Sequence, residues 1–405
     1  MLSYDQGVLT LFSSKNWSGA GQRKTLSGIA ALAVMLTGVQ ACRAQKPWPL
    51  WDAYAKRFLD DQGRVIDRSA GDRTTSEGEA YSMFFSLVDN DRPRFDKLLN
   101  WTVANLAGGD LTLRLPAWSW GKNAAGEWKT IDSNSAADAD LWMAYTLLEA
   151  GRLWKEPRYE TLGRLMATRI AKEEVVVVPE LGTVLAPGPK GFHPDDQTWL
   201  VNPSYMPPPV LVGLAKRAPN GPWKAIAKTL PAVTGGAISH QFAMDWVSAG
   251  SAGIHPSAPP SQPTTGTQQT QASGSYDAIR VYLWLGIAEP GTAGLHNLLG
   301  RVSGMGGYLG TATTPPLEVS PEGTVVRSDA PVGFSAAMIP YLSSIGAKAA
   351  AKTQADRLVA TKDPESGLYG RTMEYYDQNL ALFSTGWSEH RYLFERDGAL
   401  KVSWK

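Results

Sequence analysis

Three short stretches of this sequence hold carboxylates where a helix is expected to begin. They are Thr74-Thr75-Ser76-Glu77-Gly78-Glu79-Ala80-Tyr81, Asp132-Ser133-Asn134-Ser135-Ala136-Ala137-Asp138-Ala139-Asp140 and Ser275-Tyr276-Asp277-Ala278-Ile279-Arg280. Ser76 followed three residues later by Glu79 has the spacing of a capping box, which leaves Glu77 without a local partner. Ser135 and Asp138 repeat cap-like spacing. Asp138 and Asp140, two apart, diverge by about 200° on a helix, so one of them at most faces a shared pocket. Ser275 is a candidate N-cap that puts Asp277 in a first turn. Each acid also has an ordinary reading. Glu77 would be an exposed acid favoured by the helix dipole, Asp138 and Asp140 a cap and a solvated acid, and Asp277 half of a surface pair with Arg280. Their joint placement favours chemistry, because all three fall at the start of helices that open helix pairs. If these helices are parallel and form an inner layer, their N-termini converge and the three carboxylates line one cleft. Neighbouring carboxylates raise one another's pKa against the lowering effect of helix termini. A protonated and an ionised carboxyl on two sides of a bond is the equipment that glycoside hydrolysis requires.

The aromatic residues agree with a sugar. The chain has 15 Trp in 405 residues, a surplus that core packing alone does not call for. Trp118 and Trp120, in Leu115-Pro116-Ala117-Trp118-Ser119-Trp120-Gly121-Lys122, and Trp199 fall in expected loops, where a flat ring is free to stack on a pyranose. Trp142, Trp154 and Trp284 lie in expected helices and read as core. Tyr205, in Asn202-Pro203-Ser204-Tyr205, reads either way. Other chemistries find little support. A single Cys excludes a disulfide framework and a cysteine-rich zinc site. The five His, at 193, 240, 255, 296 and 390, lack metal-ligand spacing. There is no G-x-S-x-G elbow and no phosphate loop. With 39 Lys plus Arg against 38 Asp plus Glu, nothing suggests a nucleic-acid partner.

The elements that must position these residues are mostly helical. Apolar periodicity predicts helices near 48–60, 76–89, 92–106, 136–151, 156–172, 205–217, 222–231, 275–287, 292–302, 332–344, 346–360 and 372–384. These fall into six sequential pairs, which suggests an all-α toroid of six inner and six outer helices. An irregular bundle or solenoid is the alternative. Val175–Val178 is a short strand candidate, and Gly304–Gly310 and Thr313–Thr324 read as loops or a small hairpin. Residues 251–275 are rich in Pro, Ser, Thr, Gln and Gly with Ile254 as the one large apolar residue, and are expected to be a disordered inserted loop.

Residues 1–44 read as a signal peptide: Arg23 and Lys24 precede an apolar run from Ile29 to Val39, followed by Ala41 and Ala44. Cys42, in Val39-Gln40-Ala41-Cys42, faintly resembles a lipid-attachment site that Gln40 fits poorly. Residues 45–405 are expected to form a single catalytic domain without a membrane span. Losing Lys15, Arg23, Lys24, Arg43 and Asp5 turns the formal charge from +1 to −2. The mature protein is expected to be periplasmic or secreted, and monomeric.

The three acid clusters, together with Pro116-Ala117-Trp118, Leu148 to Lys155, Asn202 to Tyr205 and Pro331-Val332-Gly333-Phe334-Ser335-Ala336-Ala337-Met338, resemble glycoside hydrolase family 8 from about Trp48 to Trp404. The resemblance implies an (α/α)6 barrel and hydrolysis of β-1,4-glucan with inversion, with no cofactor and no metal. Glu77 would take the general-acid position and Asp277 that of the base activating water. Asp138 would bind and distort the sugar at the cleavage point and help keep Glu77 protonated. Trp118, Trp120, Tyr205, Tyr276 and Arg280 would contact the substrate or support the base. The likeness is strong to members that accompany bacterial cellulose synthase, which implies that export machinery as a partner. One departure is Ala137, where the family signature usually has Ser or Thr. Two competing readings are a family enzyme acting on xylan, chitosan or mixed-linkage glucan, and a non-catalytic glucan-binding protein.

Overall fold

The computed structural model describes residues 46–260 and 271–405. The signal peptide expected over 1–44, its cleavage region and Cys42 lie outside these residues, as do residues 261–270 of the insert. The helices are, in order, α1 (Pro49–Phe58), α2 (Ser76–Val88), α3 (Arg92–Asn105), α4 (Ala137–Trp154), α5 (Pro157–Glu173), α6 (Pro208–Arg217), α7 (Trp223–Gly236), α8 (Ala278–Ile287), α9 (Leu295–Arg301), α10 (Ser303–Leu309), α11 (Val332–Ser344), α12 (Lys348–Ala360) and α13 (Tyr375–Ser388). Every helix expected from periodicity is present. Two layers follow from the sequence. α2, α4, α8, α11 and α13 are buried nearly all round, as befits helices enclosed by others. α3, α5 and α12 bury one face. The outer helices α3 and α5 start on acidic caps followed by proline: Asp91 accepts from the Arg94 N–H at 3.0 Å ahead of Pro93, and Glu156 precedes Pro157.

The pairs are α2–α3, α4–α5, α6–α7, α8–α9 and α11–α12, and the inner helices follow one another round the ring through α2–α4, α4–α6, α6–α8, α8–α11 and α11–α13. Phe383 of α13 closes it against Phe84 and Phe85 of α2, with centroids 5.5 and 4.8 Å apart. The result is the (α/α)6 barrel. The sequential pairing is corrected by a shift of one helix: the pairs begin at α2, and α1 is the outer partner of α13, with Tyr54 and Phe58 packed on Tyr375 at 6.4 and 5.9 Å. A closed ring needs its last inner helix covered, and the first helix of the chain does this.

A cluster of rings fills the middle of the barrel. Trp142 meets Phe84 at 5.0 Å, Trp284 at 5.2 Å and Phe383 at 5.0 Å, and each ring so buried stabilises by roughly 1.5–3 kcal/mol. Gly286 lets α8 touch α11, since a Cβ there would lie 2.3 Å from the Tyr341 nitrogen.

Two expectations about irregular segments change. Gly304–Gly310 reads as a loop or a small hairpin, and the structure has α10 there. Met305 and Leu309 are buried, and a Cβ on Gly304 would lie 2.9 Å from the Gln241 carbonyl oxygen; packing outweighs poor intrinsic helix propensity. The expected disorder of 251–275 does not hold at the ends of that stretch. Gly253–Ser257 pairs antiparallel with Trp246–Gly250, itself paired with Thr198–Val201, and Gly274 bridges Val319. Composition accounts for side-chain burial, whereas backbone ladder bonds order these ends. Thr313–Thr324 leads into a short hairpin of Glu318–Val319 with Val325–Arg327, and Val175–Val178 pairs with Gly182–Leu185. Among the described residues, no helix is long and apolar enough to cross a membrane.

Candidate active site

Glu77 stands in the first turn of α2, and what fixes that turn is the segment before it. Thr74–Thr75 pairs with Ser119–Trp120, the Ser76 N–H donates to the Trp118 carbonyl at 3.1 Å, and Thr75 caps the helix by accepting from the Gly78 N–H at 3.3 Å. The capping box expected from Ser76 and Glu79 is absent. Glu79 is fully buried and accepts instead from the Val65 N–H at 2.8 Å and the Thr102 hydroxyl at 3.4 Å. Gly78 is required because a Cβ would lie 2.1 Å from the Tyr375 hydroxyl. Glu77 is half-buried, and the Ser76 hydroxyl approaches it at 3.5 Å. Burial pushes its carboxyl above the ordinary range and Asp277 adds to this, while Arg280 and Arg73 pull it down. The reading of Glu77 as a freely exposed acid is thereby excluded.

Asp138 enters from α4 and is buried. Its Oδ1 accepts from the Ala139 N–H at 2.9 Å, and its Oδ2 has no hydrogen bond and lies 3.4 Å from Arg280 Nη1. Burial first, and the charge of Glu77 second, push it up to about 7. Repulsion between two acids is mutual, so each favours a proton on the other. The cap-like spacing of Ser135 and Asp138 is not used as a cap. The N-cap is Ala136, and the Ser135 hydroxyl donates to Glu174.

Asp277 occupies the N-cap position of α8, just before the helix, and is partly exposed. Its Oδ1 accepts from Arg280 Nη2 at 2.6 Å, and the same nitrogen donates to Ser204 Oγ at 3.0 Å. The surface pair once considered for Asp277 and Arg280 is corrected, because Arg280 is 6% exposed. Its fork spans Asp138 on one nitrogen and Asp277 on the other, with the guanidinium 5.6 Å over the Tyr205 ring. The starts of two inner helices, α4 and α8, are thus brought to one cation. Ser275 does not cap α8 either. Its hydroxyl donates to Leu317, and Asp245 supplies the cap from another element.

Several residues here were silent in the sequence. The Tyr81 hydroxyl is buried without a hydrogen-bond partner, with Arg280, Asp138 and Glu77 the charges acting on it. Tyr376 donates to the Tyr276 carbonyl at 2.6 Å. Both read as core aromatics at helical spacing. Arg73 lies 5.6 Å over Trp118 and acts on Glu77.

The aromatic candidates separate. Trp118 is half-buried, with its N–H on the Asn134 carbonyl and its carbonyl on the Ser76 N–H, at 2.8 and 3.1 Å, between the starts of α2 and α4. Tyr276 is 48% exposed beside Phe334 and Tyr376. Tyr205 lies in the 3-10 turn Pro203–Tyr205 next to Trp246. Trp120 is in a strand, and its ring is taken up by Trp101 at 5.4 Å, Trp128 at 5.2 Å and Arg64 at 4.5 Å. Trp199 is in a strand too, stacked on His193 at 4.3 Å. Trp142 and Trp284 are core, as expected, and Trp154 packs between Phe95 and Tyr159.

Asp140 and Glu174 are fully buried and their carboxyls face each other. Two carboxylates have no donor for each other, so this contact is a bond only when one of them holds a proton. Burial, then the charge of Glu174, pushes Asp140 well above the ordinary range, and burial pushes Glu174 up to about 8. In the unfolded chain both titrate near about pH 4. The folded state therefore binds more protons between those values, and its stability falls as pH rises towards 8. Each extra proton held contributes at most about 1.4 kcal/mol per pH unit. Thermal melts from pH 5 to 8 are expected to show a declining Tm, and Glu174→Gln a shallower decline. Parallel slopes for the two proteins would show that the pair titrates normally.

A family model described as glycosyl hydrolases family 8 matches residues 25–390. The chain is 42% identical to an endoglucanase of Xanthomonas axonopodis pv. citri over 94% of its own length and 95% of that protein's. It is 40% identical to an endoglucanase of Salmonella typhi over 94% and 97% of the two lengths. Among solved structures it is similar to an endo-1,4-D-glucanase from Vibrio fischeri, with a TM-score of 0.77, 35% identity, and coverage of 88% of this chain and 99% of that one.

Proposed function

The chain belongs to glycosyl hydrolases family 8 and is a glycoside hydrolase of the endoglucanase kind, and from that premise we propose that it cuts β-1,4-glucan with inversion, using Glu77 as general acid and Asp277 as general base. The observation that carries this reading is the Arg280 fork. Its guanidinium bonds Asp277 Oδ1 at 2.6 Å, while burial keeps the Glu77 carboxyl in its protonated form to higher pH. Two carboxyls of opposite protonation state are what the reaction needs.

In the proposed step Glu77 donates its proton to the glycosidic oxygen as the bond to the anomeric carbon breaks. Asp277 takes a proton from a water that attacks the same carbon from the opposite face. No bond to the protein forms, and an inverting pair leaves roughly 6.5–9.5 Å between the carboxyls for that water. Asp138, buried against Arg280, holds and distorts the sugar at the cleavage point. Tyr205, Tyr276 and Trp118 supply faces for neighbouring sugars. Residues 1–44 serve as an export signal, residues 45–405 as the catalytic domain, and the protein works in the periplasm or outside the cell on glucan made by a cellulose-exporting machine.

Proton NMR of a cello-oligosaccharide digest tests the reading. The α-anomer of the new reducing end is expected first, followed by mutarotation. A β-anomer appearing first would exclude inversion. Product chromatography from a soluble cellulose derivative, xylan, chitosan and mixed-linkage glucan is expected to show fastest cleavage of the cellulose derivative.

A further inference from the structure

Asp277 does not sit inside a regular helix. It occupies the position just before α8, where backbone geometry is held by whatever satisfies the free N–H groups. No side chain of its own segment does so: Asp277 makes no cap bond, and the Ser275 hydroxyl is turned to the Leu317 carbonyl at 2.8 Å. A single oxygen from elsewhere in the chain takes the job. Asp245 Oδ1 accepts from the Ser275 N–H at 2.8 Å and from the Ala278 N–H at 2.7 Å, so that its two bonds bracket Tyr276 and Asp277. The Asp277 N–H also acts on this carboxyl.

Asp245 is itself held. It lies immediately before the strand Trp246–Gly250, is 8% exposed, and donates its N–H to the Ser273 carbonyl at 2.7 Å. The next residue, Gly274, pairs in both directions with Val319, at 2.9 and 3.0 Å. A Cβ on Gly274 would fall 2.1 Å from the Ala243 carbonyl oxygen, so the two backbones approach as closely as glycine permits. The route from Ser273 to Ala278 is therefore clamped at one end by this close approach and at the other by Asp245. Arg280 then reaches back one turn to Asp277.

We propose that Asp245 is a positioning residue for the base: its buried carboxyl is the N-cap of α8 and sets where Asp277 stands over the attacking water. This rests on the reading of Asp277 as the base. Asp245 holds the base through the backbone N–H groups of Ser275 and Ala278. The charge state of Asp245 is not what the device needs. Burial, then the charge of Asp277, pushes its carboxyl up to about 7, and a protonated carboxyl still accepts through its carbonyl oxygen. An asparagine offers the same oxygen at the same reach.

The test is Asp245→Ala beside Asp245→Asn, with kcat and KM on cello-oligosaccharide and a thermal melt of each. Displacing the base from the water harms the transition state and leaves ground-state binding of the glucan alone. Asp245→Ala is expected to lower kcat by about 10- to 100-fold with KM within about twofold, the scale of a sub-ångström to ångström misplacement. Asp245→Asn is expected to restore kcat to within about threefold of the parent, since the cap bonds survive. A kcat of the alanine variant within twofold of the parent overturns the proposal. So does an asparagine variant as impaired as alanine, or a KM that rises in step with the loss. If the alanine variant does not fold, Asp245→Asn against Asp245→Leu at a temperature where both melt above the assay decides by the same criteria. Asp277→Asn measured alongside separates the two claims, because full activity there would remove the base assignment and leave the cap intact.

Discussion

Glu77→Gln protein should bind glucan and fold as the parent does, and cleave cellulose derivatives about 10²- to 10⁴-fold more slowly, the usual share of a positioned general acid. Glutamine has the shape of a protonated glutamate and keeps a donor, but it has no proton to surrender as the glycosidic oxygen leaves. Stability should not fall. The Glu77 carboxyl is raised by burial, so the folded state gives up stability as pH rises through that raised value. A neutral amide removes the penalty, and at pH 8 the variant should melt at or above the parent. The pH profile carries a second signature. In the parent, kcat is expected to decline on the alkaline side as Glu77 loses its proton, and the residual activity of the variant should lack that limb. A substrate whose leaving group departs without protonation, such as a dinitrophenyl cello-oligosaccharide, should be cut with little loss. If Glu77→Gln keeps more than a tenth of the parental rate on cellulose derivatives, the acid lies elsewhere.

What the sequence makes legible is what repeats locally. Every helix predicted is found, because an outer helix such as α5 writes its one-sided burial into a 3.6-residue pattern and an inner one such as α4 is apolar nearly all round. Contacts made between distant segments are not written that way. Ser76, Ser135 and Ser275 all stand where a capping side chain is expected, and none of them caps its helix. Thr75 caps α2 because the strand it ends is paired to Ser119 and Trp120, and Asp245 caps α8 from more than thirty residues upstream. The pairing of α1 with α13 is of the same kind, as is the meeting of the buried Asp140 and Glu174 carboxyls. The Trp118-to-Lys122 stretch reads as loop because Pro and Gly bound it. In the structure Trp118 reaches the starts of two inner helices while Trp120 is consumed by Trp101, Trp128 and Arg64. The three acids are visible only because each sits at the start of a helix. Arg280, which joins two of them, looked like a surface partner, since nothing local says that it will be 6% exposed.

Arg280→Met should be nearly as damaging as loss of the acid, and for a reason that separates it from an ordinary core substitution. The guanidinium bonds Asp277 at 2.6 Å, lies 3.4 Å from Asp138 and donates to Ser204 at 3.0 Å. Removing one partner of a buried ion pair costs about 3–5 kcal/mol, because the charges left behind have no water to turn to. Asp277 is partly exposed, so its share is screened and most of the cost falls on Asp138. Asp138 is already pushed up to about 7 by burial and Glu77, with Arg280 pulling against them. Without Arg280 it holds its proton to still higher pH. A raised carboxyl contributes stability below its unfolded value near about 4, and that contribution is lost as pH rises through the folded value. The variant's deficit in Tm should therefore be small at pH 5 and large at pH 8. Activity should fall for a positional reason. Asp277 loses the 2.6 Å bond that orients it, and kcat at pH 7 should fall by at least about 10²-fold, a base's ordinary contribution. Arg280→Lys should recover only part of this, since one ammonium cannot span Asp138, Asp277 and Ser204 as a planar fork does. An Arg280→Met enzyme with the parental kcat at pH 7 would mean that the fork holds the barrel together and has no part in holding the base.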